Sequence, residues 1–340
     1  KSQTYRFEAN VGEKILYAGL RAGVPLPFEC ATGTCGSCKA RVNQGDVEEG
    51  WPEAPGKERF KAVKREILMC QCVAQTDCNL TVPTKIAAFR NDDIKPQHHL
   101  GVITQYEKLT TDVLRFEVTL AKEIAFHAGQ FMVLQVPQVN GFRAYSMVNY
   151  ASDTHTLEFI IKQNPRGALS KWAFDADRSN QEIQVFGPLG RATFHADECH
   201  DLFMIGGGSG IAGLMSILEH ARQVNHFKNN RVDLYFGVRT PNDLFFAERL
   251  RAIKAEFPAH VTINIVFSNE PPTNQQLSGD DGLNYLEGMV HERALPAVLE
   301  GGGNTMHYLA GPAPMVDAII RPLIVESKIP AHKIRYDKFS

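Results

Sequence analysis

Apolar positions along this chain change rhythm twice, and the changes divide it into three blocks. From Tyr5 to about Pro83, short strand-like runs (TYRFEA, KARV, NLTV) surround one helical stretch, GEKILYAGLRAG. In that stretch Ile15, Leu16 and Leu20 fall near one helical face, and Gly23 can stop the helix. AAFRNDDIKPQHH follows, polar, with a proline and paired histidines, the signature of a linker. From Leu100 to about His195, β-branched and aromatic runs recur between turn residues (GVITQYEKL, VLRFEVTL, FMVLQVP, TLEFIIKQ, EIQVFGPLG), as in an antiparallel β-barrel. Beyond Asp201, strand patterns alternate with helical ones, from LFMIGGG and GLMSILEHARQV to TMHYLAGP and PMVDAIIRPLIVE. Such alternation predicts a doubly wound parallel sheet. The reading gives domains at residues 1–86, 100–197 and 198–340 with a linker at 87–99, a multidomain chain of α+β and α/β class. NEPPTNQQLSGDD is expected to be a surface loop, and no internal repeat is visible.

Composition narrows the function. The 340 residues are 44% hydrophobic and 22% charged with a formal net charge of −2, so there is no electrostatic case for nucleic-acid or anionic-membrane binding. The most apolar stretch, Leu202 to Leu218, is short and broken by five glycines, a poor membrane span. Six of the seven cysteines lie between Cys30 and Cys78, with Cys199 alone beyond. A disulfide framework belongs mainly to short secreted chains, so metal or redox chemistry in a reducing, cytoplasmic compartment is the expectation. No basic-then-apolar leader opens the sequence given.

The thiol loop is the strongest chemical signal. Cys30-x4-Cys35-x2-Cys38, followed by a distant fourth cysteine, is the plant-type [2Fe–2S] spacing. Thiolates must converge on two irons while backbone N–H groups approach the sulfurs, so the intervening residues must be small or able to take positive φ. Ala31, Thr32, Gly33, Thr34, Gly36 and Ser37 meet that demand. The fourth ligand is Cys70 or Cys72, and spacing does not choose. A structural zinc site is the alternative, but zinc loops usually pair two Cys-x2-Cys-like knuckles, whereas three ligands share one loop here. Cys78 and Cys199 are expected to be ordinary buried thiols.

Two further motifs point to nucleotide-type cofactors. Arg143-Ala144-Tyr145-Ser146 ends a strand run: an arginine can fork onto a phosphate, a tyrosine can lie against a flat ring, and a serine can reach a ring nitrogen. Gly167-Ala168-Leu169-Ser170 opens a helix whose N–H groups suit an anion. Together they favour a flavin. Gly206-Gly207-Gly208-Ser209-Gly210-Ile211-Ala212-Gly213 lies after the strand LFMI and before a helix, where glycines let the backbone approach a pyrophosphate. No acid follows at the usual ribose-binding position, because Asp233 lies inside the next strand and Arg239 ends it.

In this order the three blocks resemble the reductase components of bacterial multicomponent oxygenases: a plant-type ferredoxin domain joined to a ferredoxin-NADP reductase-like module. The resemblance covers nearly the whole chain and is closest to the reductases of carbazole dioxygenase and toluene monooxygenase, which share a stretch like Trp51-Pro52-Glu53-Ala54-Pro55-Gly56 and a pair like Cys70-Gln71-Cys72. It implies a β-grasp domain holding the cluster on Cys30, Cys35, Cys38 and Cys70. It implies FAD rather than FMN, with Arg143, Tyr145 and Ser146 at the flavin phosphate, ring and N5 region, and Ala144, Ile160, Ile161, Lys162 and Gly167 to Ser170 completing the site. Phe339, next to the terminal Ser340, is expected to cover the isoalloxazine ring. Gly207 to Gly210, Arg239, Gly311, Pro312 and Met315 are expected to seat NADH, with NADPH the lesser alternative. The chain departs from the family pattern at Gly213, where proline is frequent, and at Ala310-Gly311-Pro312, where the family often has Cys-Gly-Pro.

The chemistry joins these parts. A nicotinamide gives two electrons at once as hydride, a [2Fe–2S] cluster accepts one, and a flavin can take two and release them singly. The expected function is an NADH:acceptor oxidoreductase of an aromatic oxygenase system, a monomer handing electrons to a Rieske ferredoxin, Rieske oxygenase or di-iron hydroxylase. The alternatives are a deoxysugar-pathway reductase of the same build and a zinc-stabilised nucleotide-binding module without redox role.

Overall fold

A computed structural model describes residues 3–58, 60–84, 94–272, 281–300 and 304–339, and in it the three hydrophobic rhythms become separate sheet systems. In the first block, helix α1 (Ile15–Arg21) packs Ile15, Leu16, Tyr17 and Leu20 into one core with β1 (Lys39–Gln44), which is flanked antiparallel by β3 (Glu66–Leu68) and β5 (Asn79–Thr81). A second small ladder pairs β2 (Val47–Glu49) with β4 (Cys72–Ala74). The expected strand TYRFEA does not form: residues 3–10 have no regular structure. Its alternation serves to lay Phe7 against the core, which an extended segment does without a ladder partner.

The second block is a six-stranded antiparallel sheet in the order β10-β7-β6-β11-β8-β9. Its strands are β6 (Gln97–Lys108), β7 (Val113–Ile124), β8 (Phe131–Gln135), β9 (Arg143–Ser146), β10 (Thr154–Lys162) and β11 (Glu182–Leu189), and α2 (Ala168–Asp175) sits before β11. β6 begins inside the stretch read as linker, because His98 and His99 pair with Phe186 and Val185 of β11. Leu169 and Trp172 of α2 join Phe116, Leu134 and Phe159 in the barrel core.

The third block alternates as expected: β12 (Asp201–Gly207), α3 (Ile211–Gln223), β13 (Val232–Val238), α4 (Ala247–Glu256), β14 (Val261–Phe267), β15 (Asn284–Glu287), α5 (Val290–Glu300), β16 (Thr305–Pro312), α6 (Ala313–Val325) and β17 (Ile334–Phe339). The sheet order is β15-β14-β13-β12-β16-β17, every pair parallel. Strand order reverses between β12 and β16, the kind of switch point at which such sheets take ligands beyond the carboxyl ends of their strands. The loop reading of NEPPTNQQLSGDD falls largely outside the described residues. Cys199 is exposed rather than buried, held at φ 50° as it ends a short 3-10 turn, and Cys78 is half-exposed beside the Asp46 carbonyl.

The blocks share cores where they meet. Phe131, Val133, Phe186 and Leu189 of the barrel pack into the same cluster as α1. Tyr17 stacks on Phe186 (4.5 Å between centroids) and meets Phe142 edge-on at 5.3 Å, while its hydroxyl donates to the Ala31 carbonyl at 3.0 Å. The buried carboxylate of Glu13 takes Arg21 from its own block and His98 from the next.

At the other seam, His220 of α3 stacks on Tyr150 at 3.9 Å and meets Phe194 edge-on. Its Nδ1 is buried without a hydrogen-bond partner among the described residues. Burial first, then the neighbouring His127, His195 and His226, push its pKa down to about 4. Between pH 6.5 and 4 the unfolded chain therefore binds the proton that this folded site refuses, so stability is full above that window and falls as pH drops through it. With a discount for partial exposure, the expected loss from this ring is about 1 kcal/mol between pH 7 and 5. Thermal melting across that range checks it, and His220→Gln should flatten the profile.

Candidate active site and cofactor-binding seam

The thiol loop is already arranged to hold negative sulfur. Backbone N–H groups of Thr32 and Cys35 donate to Cys30 Sγ at 3.4 Å each, and those of Cys30 and Ser37 donate to Cys35 Sγ at 3.5 and 3.4 Å. Cys38 Sγ lies 3.2 Å from Cys70 Sγ. The four sulfurs thus form two pairs, with amide donors converging on the outer one. Bonding from the Cys35 thiol and the loop amides outweighs burial at Cys30 and lowers its pKa to about 4. The partner thiols Cys35 and Cys70 are raised, first by the sulfur they pair with and then by burial. Cys72 sits apart on β4 opposite Glu49, fully buried, and burial pushes its thiol up to about 12. The donor set fits a cluster on Cys30, Cys35, Cys38 and Cys70, whose sulfurs carry negative charge and need such amides.

β9 carries four expected flavin residues, Arg143 to Ser146. Arg143 turns Nη1 to the carbonyls of Asn140 (3.4 Å) and Phe142 (2.9 Å), and its guanidinium carbon lies 6.0 Å from the Trp51 ring, at the range where a cation and an aromatic face attract. Ala144 is exposed, whereas Tyr145 packs on the barrel core and burial raises its phenol. Ser146 is buried and its Oγ donates to Asp337 Oδ2 at 3.1 Å, tying β9 to β17. Burial pushes the Asp337 carboxyl up to about 6, against the pull of that hydrogen bond, and the negative charge of Cys30 and Glu29 acts in the same direction as burial.

The remaining flavin candidates divide. Ile160 and Ile161 are buried within β10, and Lys162 at its end lies 3.4 Å from Asp112. Gly167 is the N-cap of α2 with no side-chain cap, so the amides of Ala168 and Leu169 open the helix toward an incoming anion. Ser170 is already used: its Oγ accepts from the Asn164 N–H at 2.7 Å and closes the turn. Phe339 is half-buried at the end of β17, in register with Pro312, and Ser340 lies outside the described residues.

The glycine-rich turn, Gly208–Gly210, joins β12 directly to α3, whose N-terminus also carries no side-chain cap. Gly207 faces the Met315 sulfur, and Gly210 lies against the Ala310 carbonyl and Gly311, so the glycine turn and the Gly311 to Met315 segment meet at the strand-order switch. Ser209 sits within the turn. Arg239, expected among the nicotinamide residues, is ion-paired. Its Nη2 binds Asp112 at 2.6 Å and Asp243 at 2.5 Å, and Asp243 closes a capping box on Thr240.

Sequence reading gave no contact at the site to Asp337, Asp112, Asp243 or Trp51. Asp243 was legible as the acid of Thr240-x-x-Asp243. Asp112 meets Arg239, and Trp51 meets Arg143, across blocks.

Three family models tile the chain: a 2Fe-2S iron-sulfur cluster binding domain over residues 1–75, an oxidoreductase FAD-binding domain over 101–194 and an oxidoreductase NAD-binding domain over 204–321. The alkene monooxygenase system ferredoxin–NAD(+) reductase component of Xanthobacter autotrophicus is 32% identical over 98% of this chain and 97% of its own length. A ferredoxin–NAD(P)(+) reductase of Metapseudomonas resinovorans is 30% identical over 96% of this chain and 95% of its own. Among solved structures, the ferredoxin reductase in carbazole 1,9a-dioxygenase superposes with a TM-score of 0.80 at 29% identity, covering 97% of this chain and 94% of that one. A cytochrome P450 reductase of Amycolatopsis gives 0.79 at 27%, over 98% and 96%.

Proposed function

Because the chain belongs to the family of ferredoxin–NAD(P)+ reductase components of oxygenase systems, we propose that it takes hydride from NADH at the crevice between β12 and β16 and delivers electrons singly through its thiol loop. The observation that carries this reading is the position of Asp337. It stands on β17 beside β16, accepts a hydrogen bond from Ser146 of β9, and lies within electrostatic reach of Cys30. One carboxyl therefore touches the flavin strand and senses the cluster loop, so the three sites share one seam. FAD, when bound, supplies two-electron acceptance and one-electron release.

The residues of the chain supply the rest. The amides of Gly208 to Gly210 and the head of α3 receive the pyrophosphate, and Gly311 to Met315 bound the nicotinamide half. With FAD bound, Arg143 would hold the flavin phosphate, Tyr145 and Phe339 would flank the ring, and Ser146 would set its hydroxyl at the N5 region. The ligands Cys30, Cys35, Cys38 and Cys70 hold the cluster. Asp112 and Asp243 already neutralise Arg239, so a 2′-phosphate would enter beside two carboxylates, and NADH is preferred. The acceptor is a ferredoxin or oxygenase component of an aromatic oxygenase system, and the reductase works as a cytoplasmic monomer.

Stopped-flow reduction tests the assignment. Ser146→Ala should slow flavin reduction by NADH by about tenfold or more, the scale of one lost reactive-site hydrogen bond. NADH should exceed NADPH in kcat/KM. An unchanged rate in Ser146→Ala, with flavin bound, removes Ser146 from the reaction. Acceptor identity is read by offering Rieske ferredoxin, Rieske oxygenase, di-iron hydroxylase and P450 partners in turn.

A further inference from the structure

Cys30 and Cys35 each take two backbone N–H donors, with the Thr34 and Ser37 side chains beside them. Cys70 differs. Among the described residues its N–H donor is a side chain, the Gln71 amide, with Nε2 at 3.6 Å from Cys70 Sγ. We propose that Gln71 sets the reduction potential of the cluster by donating this N–H···S bond; the inference rests on the reading that Cys30, Cys35, Cys38 and Cys70 hold a [2Fe–2S] cluster.

The surroundings fix the amide on every side. Gln71 is only 8% exposed, a deep burial for a primary amide, which is tolerable when the polar group has a partner. Its main chain is clamped three times: the carbonyl accepts from Lys14 Nζ at 3.1 Å and from the Gly50 N–H at 2.9 Å, and its N–H donates to Leu68 O at 2.9 Å. Its side chain lies against Gly33 of the thiol loop, where a Cβ would fall 3.0 Å from Nε2 and 3.2 Å from Cδ. The absence of a side chain at Gly33 thus leaves the space that the amide fills. The result is a donor held between the loop and the fourth ligand with little freedom to turn away.

The physical consequence follows from charge. Adding one electron makes the cluster sulfurs more negative, and a donor aimed at a sulfur stabilises that charge more after reduction than before. Gln71 therefore raises the potential and draws electrons out of the flavin. The bland reading is that Gln71 only fills space against Gly33. The two readings separate in a potential, because a space-filling residue of similar size leaves it unmoved.

The test uses the full-length holoprotein, wild type beside Gln71→Leu and Gln71→Glu. Both variants keep side-chain bulk and remove the N–H donor; Gln71→Leu does so without adding charge and decides between the two readings, whereas the carboxylate of Gln71→Glu lowers the midpoint further by repulsion. Iron content and visible absorbance report loading, and a potentiometric titration followed by electron paramagnetic resonance reports the cluster midpoint. The proposal expects loaded variants whose midpoints fall, with the constant for reducing the cluster about three- to tenfold lower, tenfold being about 59 mV for one electron. Flavin reduction by NADH should keep its wild-type rate. Loaded variants with an unchanged or higher midpoint overturn the proposal, as does failure of both variants to load, which makes Gln71 an assembly residue. A wild-type protein without the cluster signal overturns the underlying reading instead.

Discussion

Cys70→Ala abolishes the visible absorbance and paramagnetic signal of the cluster, while Cys72→Ala keeps both. That is the larger of the two effects the structure predicts, and it separates two thiols only two residues apart. Cys70 follows β3 and turns its sulfur to within 3.2 Å of Cys38 Sγ. Cys72 is already in β4, paired across the ladder with Glu49, and its sulfur is enclosed in the small-block core. Strand geometry explains the division: β4 is spoken for as a ladder, so only the turn before it is free to bend a sulfur toward the loop. Removing a ligand should cost tenfold or more in iron per protein chain. Removing Cys72 should cost about 1 kcal/mol of stability, the usual scale for trimming one small buried side chain. Iron analysis and melting curves on the two variants read both numbers.

The second large effect is at Gly210. A Cβ built there falls 2.2 Å from the Ala310 oxygen, 2.6 Å from its carbonyl carbon and 2.8 Å from Gly311 Cα. All three are backbone atoms of β16, which is held by β12 on one side and β17 on the other, so none can swing aside as a side-chain tip would. Gly210→Ala must push α3 away from β16 and open the crevice that seats the dinucleotide. The expected result is a KM for NADH raised at least about tenfold, at about 1–3 kcal/mol in stability, with flavin and cluster still bound. Gly213→Ala is the control. Its Cβ would meet nothing nearer than 3.6 Å, an ordinary contact, and alanine favours the helix there, so it should bind NADH as the wild type does.

Much of this was legible before any coordinates. The period-two barrel runs and the strand–helix alternation mark the second and third sheets because each has a core that reads one periodicity throughout. The short N-terminal elements were harder: TYRFEA alternates like a strand yet has no partner, and β2 to β5 are three residues each, too brief to show a period. Local chemistry was legible where the site is local, as in the Cys30 loop and the Gly207 to Gly210 turn. It was invisible where the site is built across blocks. Ser146 meets Asp337 191 positions away, and Arg239 meets Asp112 at a separation of 127. Sequence gives the Arg239 cation, and only the fold supplies the two carboxylates that hold it.

The central claim is that hydride electrons enter as a pair at β12 and β16 and leave one at a time at the Cys30 loop. An anaerobic titration of the purified holoprotein with NADH, followed in visible absorbance and electron paramagnetic resonance together, tests it most directly. The account predicts bleaching of the flavin bands together with a signal from a reduced [2Fe–2S] cluster approaching one spin per chain. Bleaching of flavin with no cluster signal, or a preparation with no colour to bleach, contradicts it.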